Sequence, residues 1–223
     1  MLVADRATNM PDPNVLHTAV PWAAGVILAG GRSRRMDGRD KALLPLAGKP
    51  LLAHVVDRLA GQVAPLVINA NGDPRRFDEF GLPTTSDTVA GFVGPLAGIV
   101  SGMRWAQRSA PGATHILSAA ADTPFFPLDL ATRLAGAALA STTTIVAASG
   151  GRAHFVFGLW PIMDAQRLEA WLRTGTDHAV HTWVQQSDFR TVEFDGAGND
   201  PFFNINTPAD IEIAERLLAV GTS

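Results

Sequence analysis

The chain reads as an α/β protein, a mostly parallel sheet with helices on both faces. Three observations carry that reading. Short apolar runs alternate with segments whose apolar residues recur at helical spacing. Parallel strands need crossovers of about a dozen residues or more, and the helical segments supply them. With 223 residues and 47% apolar side chains, the chain is also long and apolar enough to bury a core.

The elements follow in order. Residues 1–21 hold three prolines and no periodic pattern, and read as a loose N-terminal arm. The run Gly25-Val26-Ile27-Leu28-Ala29 predicts a buried strand. Pro50 suits a first helical position, and Leu51, Leu52, Val55, Val56 and Leu59 then recur at helical spacing. Further strands are expected at 66–70, 115–120 and 143–148, with helices at 96–107 and 128–140. In the less regular second half, 155–160 and 191–194 read as strands, 164–173 and 177–186 as helices. The last helix is well marked. Thr207 caps it, Pro208 fits its first position, Asp210 suits its positive end, and Ile211, Ala214, Leu217 and Leu218 form its apolar stripe. With no repeat, low-complexity tract or linker, 22–223 is expected to be a single domain.

Composition removes several functions. The 18 basic and 21 acidic side chains leave a net charge of −3, which gives no support to a nucleic-acid binder. The absence of cysteine excludes disulfides, zinc ribbons, Fe–S ligation and a thiol nucleophile, and fits a cytoplasmic protein. No apolar run reaches the ~18 residues of a membrane-spanning helix. The apolar stretch 20–31 ends in a glycine pair and follows Asp5, Arg6 and Asp12, so it reads as a strand entering a loop and not as a signal peptide.

The charge is unevenly spread. Residues 32–41 carry Arg32, Arg34, Arg35, Arg39 and Lys41 against Asp37 and Asp40, a local +3 on a remainder of −6. A basic island beside a glycine pair points to a small anionic ligand. Sixteen of the basic residues are Arg, so Lys41 and Lys49 stand out as retained lysines.

Three segments carry candidate chemistry. In Leu28-Ala29-Gly30-Gly31, the glycines after a strand permit a tight turn that brings N–H groups near phosphates. It is not a Walker A loop: Leu43 stands where the first glycine before Gly48-Lys49 belongs, and Pro50 replaces Ser or Thr. Asp122 follows an apolar strand, at the edge where α/β sheets bind ligands, and suits either a magnesium ligand or a turn before Pro124. Asp87 precedes Gly94-Pro95-Leu96-Ala97-Gly98 and reads as a second site carboxylate or a loop residue; Asn69 and Asn71 suit a base edge or a turn. The sequence has no G-x-S-x-G or H-E-x-x-H motif, and His178 and His181 lack a third ligand nearby.

Together these segments resemble the molybdenum cofactor guanylyltransferase family, the MobA-like nucleotidyltransferases. The likeness covers nearly the whole chain after residue 24. It rests on the glycine and basic loop ending in Asp40-Lys41, Gly48-Lys49-Pro50-Leu51, Gly94-Pro95-Leu96-Ala97-Gly98, Asp122-Thr123-Pro124 and Phe203-Asn204-Ile205-Asn206-Thr207-Pro208, all in the family's order. Three segments depart from its usual pattern: Ser118-Ala119-Ala120-Ala121, Phe155 after His154, and 175–180 around Asp177 and His178, which lacks basic residues.

The resemblance implies a Rossmann-like enzyme of the nucleotide-diphospho-sugar transferase type. It would transfer GMP from GTP to the molybdopterin cofactor, releasing pyrophosphate and forming the guanine dinucleotide. Leu28, Ala29, Gly30, Gly31, Lys41, Asn69, Asp87 and Asp122 would contact the nucleotide, Asp122 would bind Mg²⁺, and Arg35 and Lys41 would screen the reacting phosphates. The nucleotide half would span about 22–125 and the acceptor half about 126–223, with His154, Asn204 and Asn206 on the acceptor side. Molybdoenzymes or their chaperones are the expected recipients of the product. Residue types alone leave open a same-fold enzyme with another substrate, such as CTP:molybdopterin cytidylyltransferase or a sugar or isoprenoid phosphate enzyme. They also leave open a non-catalytic carrier, against which Lys41 and Asp122 together argue.

Overall fold

The computed structural model describes residues 19–30, 40–91, 94–138, 140–175, 178–195 and 199–221. A seven-stranded sheet forms its centre. Its strands are β1 (Ala23–Leu28), β4 (Leu66–Asn69), β5 (Thr84–Thr85), β6 (His115–Ala120), β7 (Thr144–Ser149), β8 (Arg152–Pro161) and β9 (Phe189–Glu193), in the order β5-β4-β1-β6-β8-β7-β9. A separate two-stranded hairpin joins β2 (Pro45–Leu46) to β3 (Lys49–Pro50).

Parallel pairing holds between β1 and β4, β1 and β6, β4 and β5, and β7 and β9. Strand β8 runs antiparallel to both neighbours, β6 and β7. Only the two residues Gly150 and Gly151 separate β7 from β8, too few for a crossover, so the chain must reverse there.

Alternate residues of the central strands feed opposite faces. Ile27, Ile68 and Leu117 pack against α1 (Leu51–Ala60) and α3 (Leu130–Gly136), through Leu52, Val55, Leu59, Leu130 and Leu134. Val26, Val67 and Ile116 face α2 (Pro95–Ser109), α4 (Ala165–Thr174) and α5 (Val180–Val184), through Ile99, Met103, Leu168, Leu172 and Trp183. Each fully buried Leu or Val contributes about 2 kcal/mol of transfer free energy. Among the described residues no helix is long and apolar enough to cross a membrane.

A third cluster seats α6 (Pro208–Gly221) on the hairpin, with Leu46 and Leu51 packed against Ile205 and Ala214. Thr207 and Asp210 exchange hydrogen bonds at the start of that helix, and the Asp210 carboxylate also accepts from Asn206 N–H at 2.8 Å. Burial pushes the Asp210 carboxyl up. The backbone donors, the Thr207 hydroxyl and the Lys41 charge outweigh it, and its pKa lies below the usual aspartate value.

Several boundaries differ from expectation. The hairpin was not expected, because two-residue strands carry no periodicity, and it draws Pro50 into β3 so that α1 starts at Leu51. Its turn holds Ala47 at φ 48° and Gly48 at φ 81°, so a non-glycine residue occupies the left-handed region. Helix α3 is shorter than 128–140, and α5 occupies the middle of 177–186, with Asp177 outside the described residues.

Candidate active site

Parallel strands β1, β4 and β6 end on the same edge of the sheet, and the loops leaving them are tied together. Ala29 N–H donates to Asn69 C=O at 2.9 Å, and Ala121 N–H to Leu28 C=O at 3.1 Å. From β1 the chain goes to one side, into β4 and β5, and returns to β6 on the other. Such a switch point leaves a crevice at the carboxyl ends of the strands. Here the crevice is a cleft of about 480 Å³, lined among others by Leu28, Gly30, Asn71, Asp87, Asp122 and Asn204.

At one end of the cleft, the Lys41 ammonium gathers three oxygens. It donates to Asp122 Oδ2 at 2.5 Å, Asn206 Oδ1 at 2.8 Å and Asn204 Oδ1 at 3.3 Å. Long-range backbone contacts build this cluster: Ile205 N–H donates to Asp122 C=O at 2.9 Å, which brings both asparagines beside the strand end. Asp40 holds Lys41 in place. Its Oδ1 caps the turn Lys41–Leu43 by accepting from Ala42 N–H, and its Oδ2 accepts from Arg76 Nε at 2.8 Å. Arg76 in turn donates to Asn71 C=O at 2.7 Å, so the loop carrying Lys41 is anchored to the loop after β4.

At the other end, Asp87 is held between two amides. Asn69 Nδ2 donates to Oδ1 at 3.1 Å and Asn71 Nδ2 to Oδ2 at 2.7 Å, while Asp87 N–H donates back to Asn71 Oδ1 at 3.0 Å. Asn69 is buried, and α2 passes directly over it at Gly98. A Cβ on Gly98 would collide with Asn69 Oδ1 and would lie 2.7 Å from Leu28 Cδ2, so only glycine lets the helix approach this closely.

A second cavity, also about 480 Å³, adjoins the cleft and shares Ala120, Val156 and Asn204 with it. Its other lining residues include Arg152, His154, Asp200, Phe202 and Asn206. The His154 ring stacks on Phe202, with centroids 4.5 Å apart, and its Nε2 lies 2.7 Å from Ser149 Oγ. The Ser149 hydroxyl donates to Asp200 Oδ1 at 2.9 Å. Burial is the main influence on His154 and lowers its pKa. Asp200 and Glu193 pull upward and Arg152 downward, and the value stays below that of an ordinary histidine.

The structure therefore brings together Leu28, Gly30, Lys41, Asn69, Asp87, Asp122, Asn204 and Asn206 around one cleft, with Ala29 bonded through its N–H to Asn69 and His154 in the adjoining cavity. Gly31 and Arg35 lie outside the described residues. Lys49 pairs with Asp57 at 3.4 Å on the surface, and His178 contacts Leu172 C=O at 3.1 Å, both apart from the residues lining either cavity. Sequence reasoning missed Arg76, Ser149 and Asp200. They act through partners 36, 5 and 51 residues away, and no local pattern marks them. Among the described residues no three His, Asp or Glu side chains cluster as a metal cage.

Known proteins resemble this chain in sequence and in fold. The chain is 47% identical to a molybdenum cofactor guanylyltransferase of Bradyrhizobium sp. (strain ORS 278) over 204 residues, 91% of this chain and 95% of the relative. A molybdopterin-guanine dinucleotide biosynthesis protein A from Archaeoglobus fulgidus shares the fold with a TM-score of 0.69 at 21% identity, over 88% of this chain and 99% of that one. So does CMP:2-keto-3-deoxy-manno-octonic acid synthetase in complex with CTP, with a TM-score of 0.68 at 18% identity, over 89% and 99%. The two structures show the fold, and the 47% identical relative shows the class, a nucleotidyltransferase. Residues 25–190 match the MobA-like NTP transferase domain, and the chain belongs to that family.

Proposed function

We infer that the chain transfers GMP from GTP to the molybdopterin cofactor, releasing pyrophosphate and forming the guanine dinucleotide. One observation supports this most: Lys41, Asp122, Asn204 and Asn206 form a charged junction between two adjoining cavities, in a chain 47% identical to a molybdenum cofactor guanylyltransferase. One cavity would hold the nucleotide and the other the acceptor. The domain would be one catalytic unit over 22–223, with the nucleotide half ending near 125.

The chemistry needs little covalent help. A phosphate monoester has its second pKa near ~6, so the acceptor is already an oxyanion at neutral pH and needs no general base. Its oxygen attacks the α-phosphorus in line as the bond to the pyrophosphate breaks. The difficulty is bringing two anions together, which calls for fixed positive charge and alignment.

In this reading Lys41 leaves the Asp122 carboxylate to meet the phosphates, and Arg35 adds a second cation from the basic loop. Leu28, Ala29, Gly30 and Gly31 line the nucleotide, with Asn69 and Asp87 beside its base. The oxygens around Lys41, one carboxylate and two amides, are hard donors of the kind that suit Mg²⁺, which commonly takes one or two carboxylates plus substrate phosphates. When bound at Asp122, Mg²⁺ would neutralise charge developing on the triphosphate. His154, Asn204 and Asn206 face the acceptor. The reaction would run in the cytoplasm, and molybdoenzymes or their chaperones would receive the product.

A transfer assay tests this. Offered the four α-labelled nucleoside triphosphates with Mg²⁺ and molybdopterin, the enzyme should transfer label from GTP. Label from CTP but not GTP would overturn the assignment.

A further inference from the structure

Beyond the nucleotide cleft, His154 and Asp200 of the second cavity are joined through Ser149 in a hydrogen-bonded chain that the phosphoryl transfer does not use. Its proton arrangement follows from elementary bookkeeping. The Asp200 Oδ1 accepts here, and it also takes Phe202 N–H at 2.9 Å. The single Ser149 proton therefore goes to Asp200. That leaves the Ser149 oxygen as an acceptor, and at 2.7 Å it must be met by a proton on His154 Nε2. The order is not that of a hydrolytic triad, because the carboxylate holds the serine and not the imidazole.

With Nε2 protonated, a neutral imidazole has its free lone pair on Nδ1. Burial, the leading influence on this ring, favours the neutral form. Among the described residues Nδ1 has no hydrogen-bond partner, and it is not one of the sealed, unsatisfied atoms. Phe202 covers one face of the ring, and His154 lines the cavity.

We propose that the Asp200–Ser149–His154 chain locks His154 as the Nε2–H tautomer, so that Nδ1 accepts a hydrogen bond from a ring N–H or amino group of the acceptor substrate. A pterin offers several such donors along one edge; a sugar phosphate offers only hydroxyls. His154 is then a specificity contact, and Ser149 and Asp200 are positioning residues. The proposal rests on the second cavity being the acceptor site, and the phosphates of GTP play no part in it.

Two measurements on the full-length enzyme test it. A long-range ¹H–¹⁵N spectrum of the free protein should show His154 as the Nε2–H tautomer, and Ser149→Ala should remove that preference. Steady-state transfer should show the KM for molybdopterin raised about tenfold by Ser149→Ala or His154→Phe, the size of one lost hydrogen bond, with the KM for GTP changed less than twofold. Ser149→Thr, which keeps the hydroxyl, and His154→Asn, which keeps an acceptor near Nδ1, should recover most of the affinity. Native-like thermal melts identify variants that fold. An Nδ1–H tautomer in the free enzyme, or an unchanged molybdopterin KM in a folded His154→Phe variant, would overturn the proposal while leaving GMP transfer intact. Failure of the unaltered enzyme to guanylylate molybdopterin is a different result and would overturn both readings.

Discussion

Lys41 is the residue on which the site turns. It is one of two lysines in the chain, its side chain is only 13% exposed, and it makes three hydrogen bonds to oxygens from two distant segments. Asp122 has the complementary place, at the end of a buried strand with its backbone fixed by Ile205. Lys41→Ala and Asp122→Ala should each reduce turnover by on the order of 10²-fold or more at saturating GTP and Mg²⁺, measured by pyrophosphate release. Near-normal transfer by either variant would remove it from the mechanism. Gly98 makes a different prediction. Gly98→Ala should cost about 1–3 kcal/mol in urea unfolding and also raise the KM for GTP, because the new Cβ displaces Asn69 from Asp87. Gly102→Ala is its control: a Cβ there lies 2.8 Å from Val26 Cβ and Ile116 Cδ1, away from Asn69, so stability should fall with the KM for GTP unmoved.

Helix α2 borders the cleft with its first turns and is fastened to α4 near its other end. Glu169 of α4 accepts from Arg104 of α2 at 2.7 Å and from Arg173 at 2.9 Å, and Arg173 also donates to Thr88 C=O at 3.2 Å. Those hydrogen bonds, Arg173 first and Arg104 second, hold the Glu169 carboxyl below the usual glutamate value. A depressed carboxylate pKa stabilises the fold above the unfolded-state value, and the gain is lost as pH falls through the folded-state value. Glu169→Gln should therefore lower stability by about 1 kcal/mol at neutral pH. The gap between the two proteins should close in acid, measured as urea midpoints across the range. A gap independent of pH would refute the ionic part of this fastening.

At the scale of the whole molecule, legibility followed the range of the interactions. Strand ends that carry Asn69 or Asp122 were readable because burial and a terminal polar residue are local signals. The reversal at β8 was not, since an apolar strand looks the same in either direction until the two-residue turn before it is counted. The β2–β3 hairpin was invisible for want of length, yet it supports α6 and hence the asparagines beside Lys41. Ser149 and Asp200 gave no sign because their pairing depends on a loop returning from 51 residues away.

The cleft at the switch point is the proposed nucleotide site and the adjoining cavity the proposed acceptor site. A crystal structure of the enzyme with GTP and Mg²⁺ tests this directly. The base should lie beside Asn69 and Asp87, and the triphosphate should run to Lys41, with the metal on Asp122. A triphosphate seated instead against Arg152 and His154, or a metal bound away from Asp122, would contradict it.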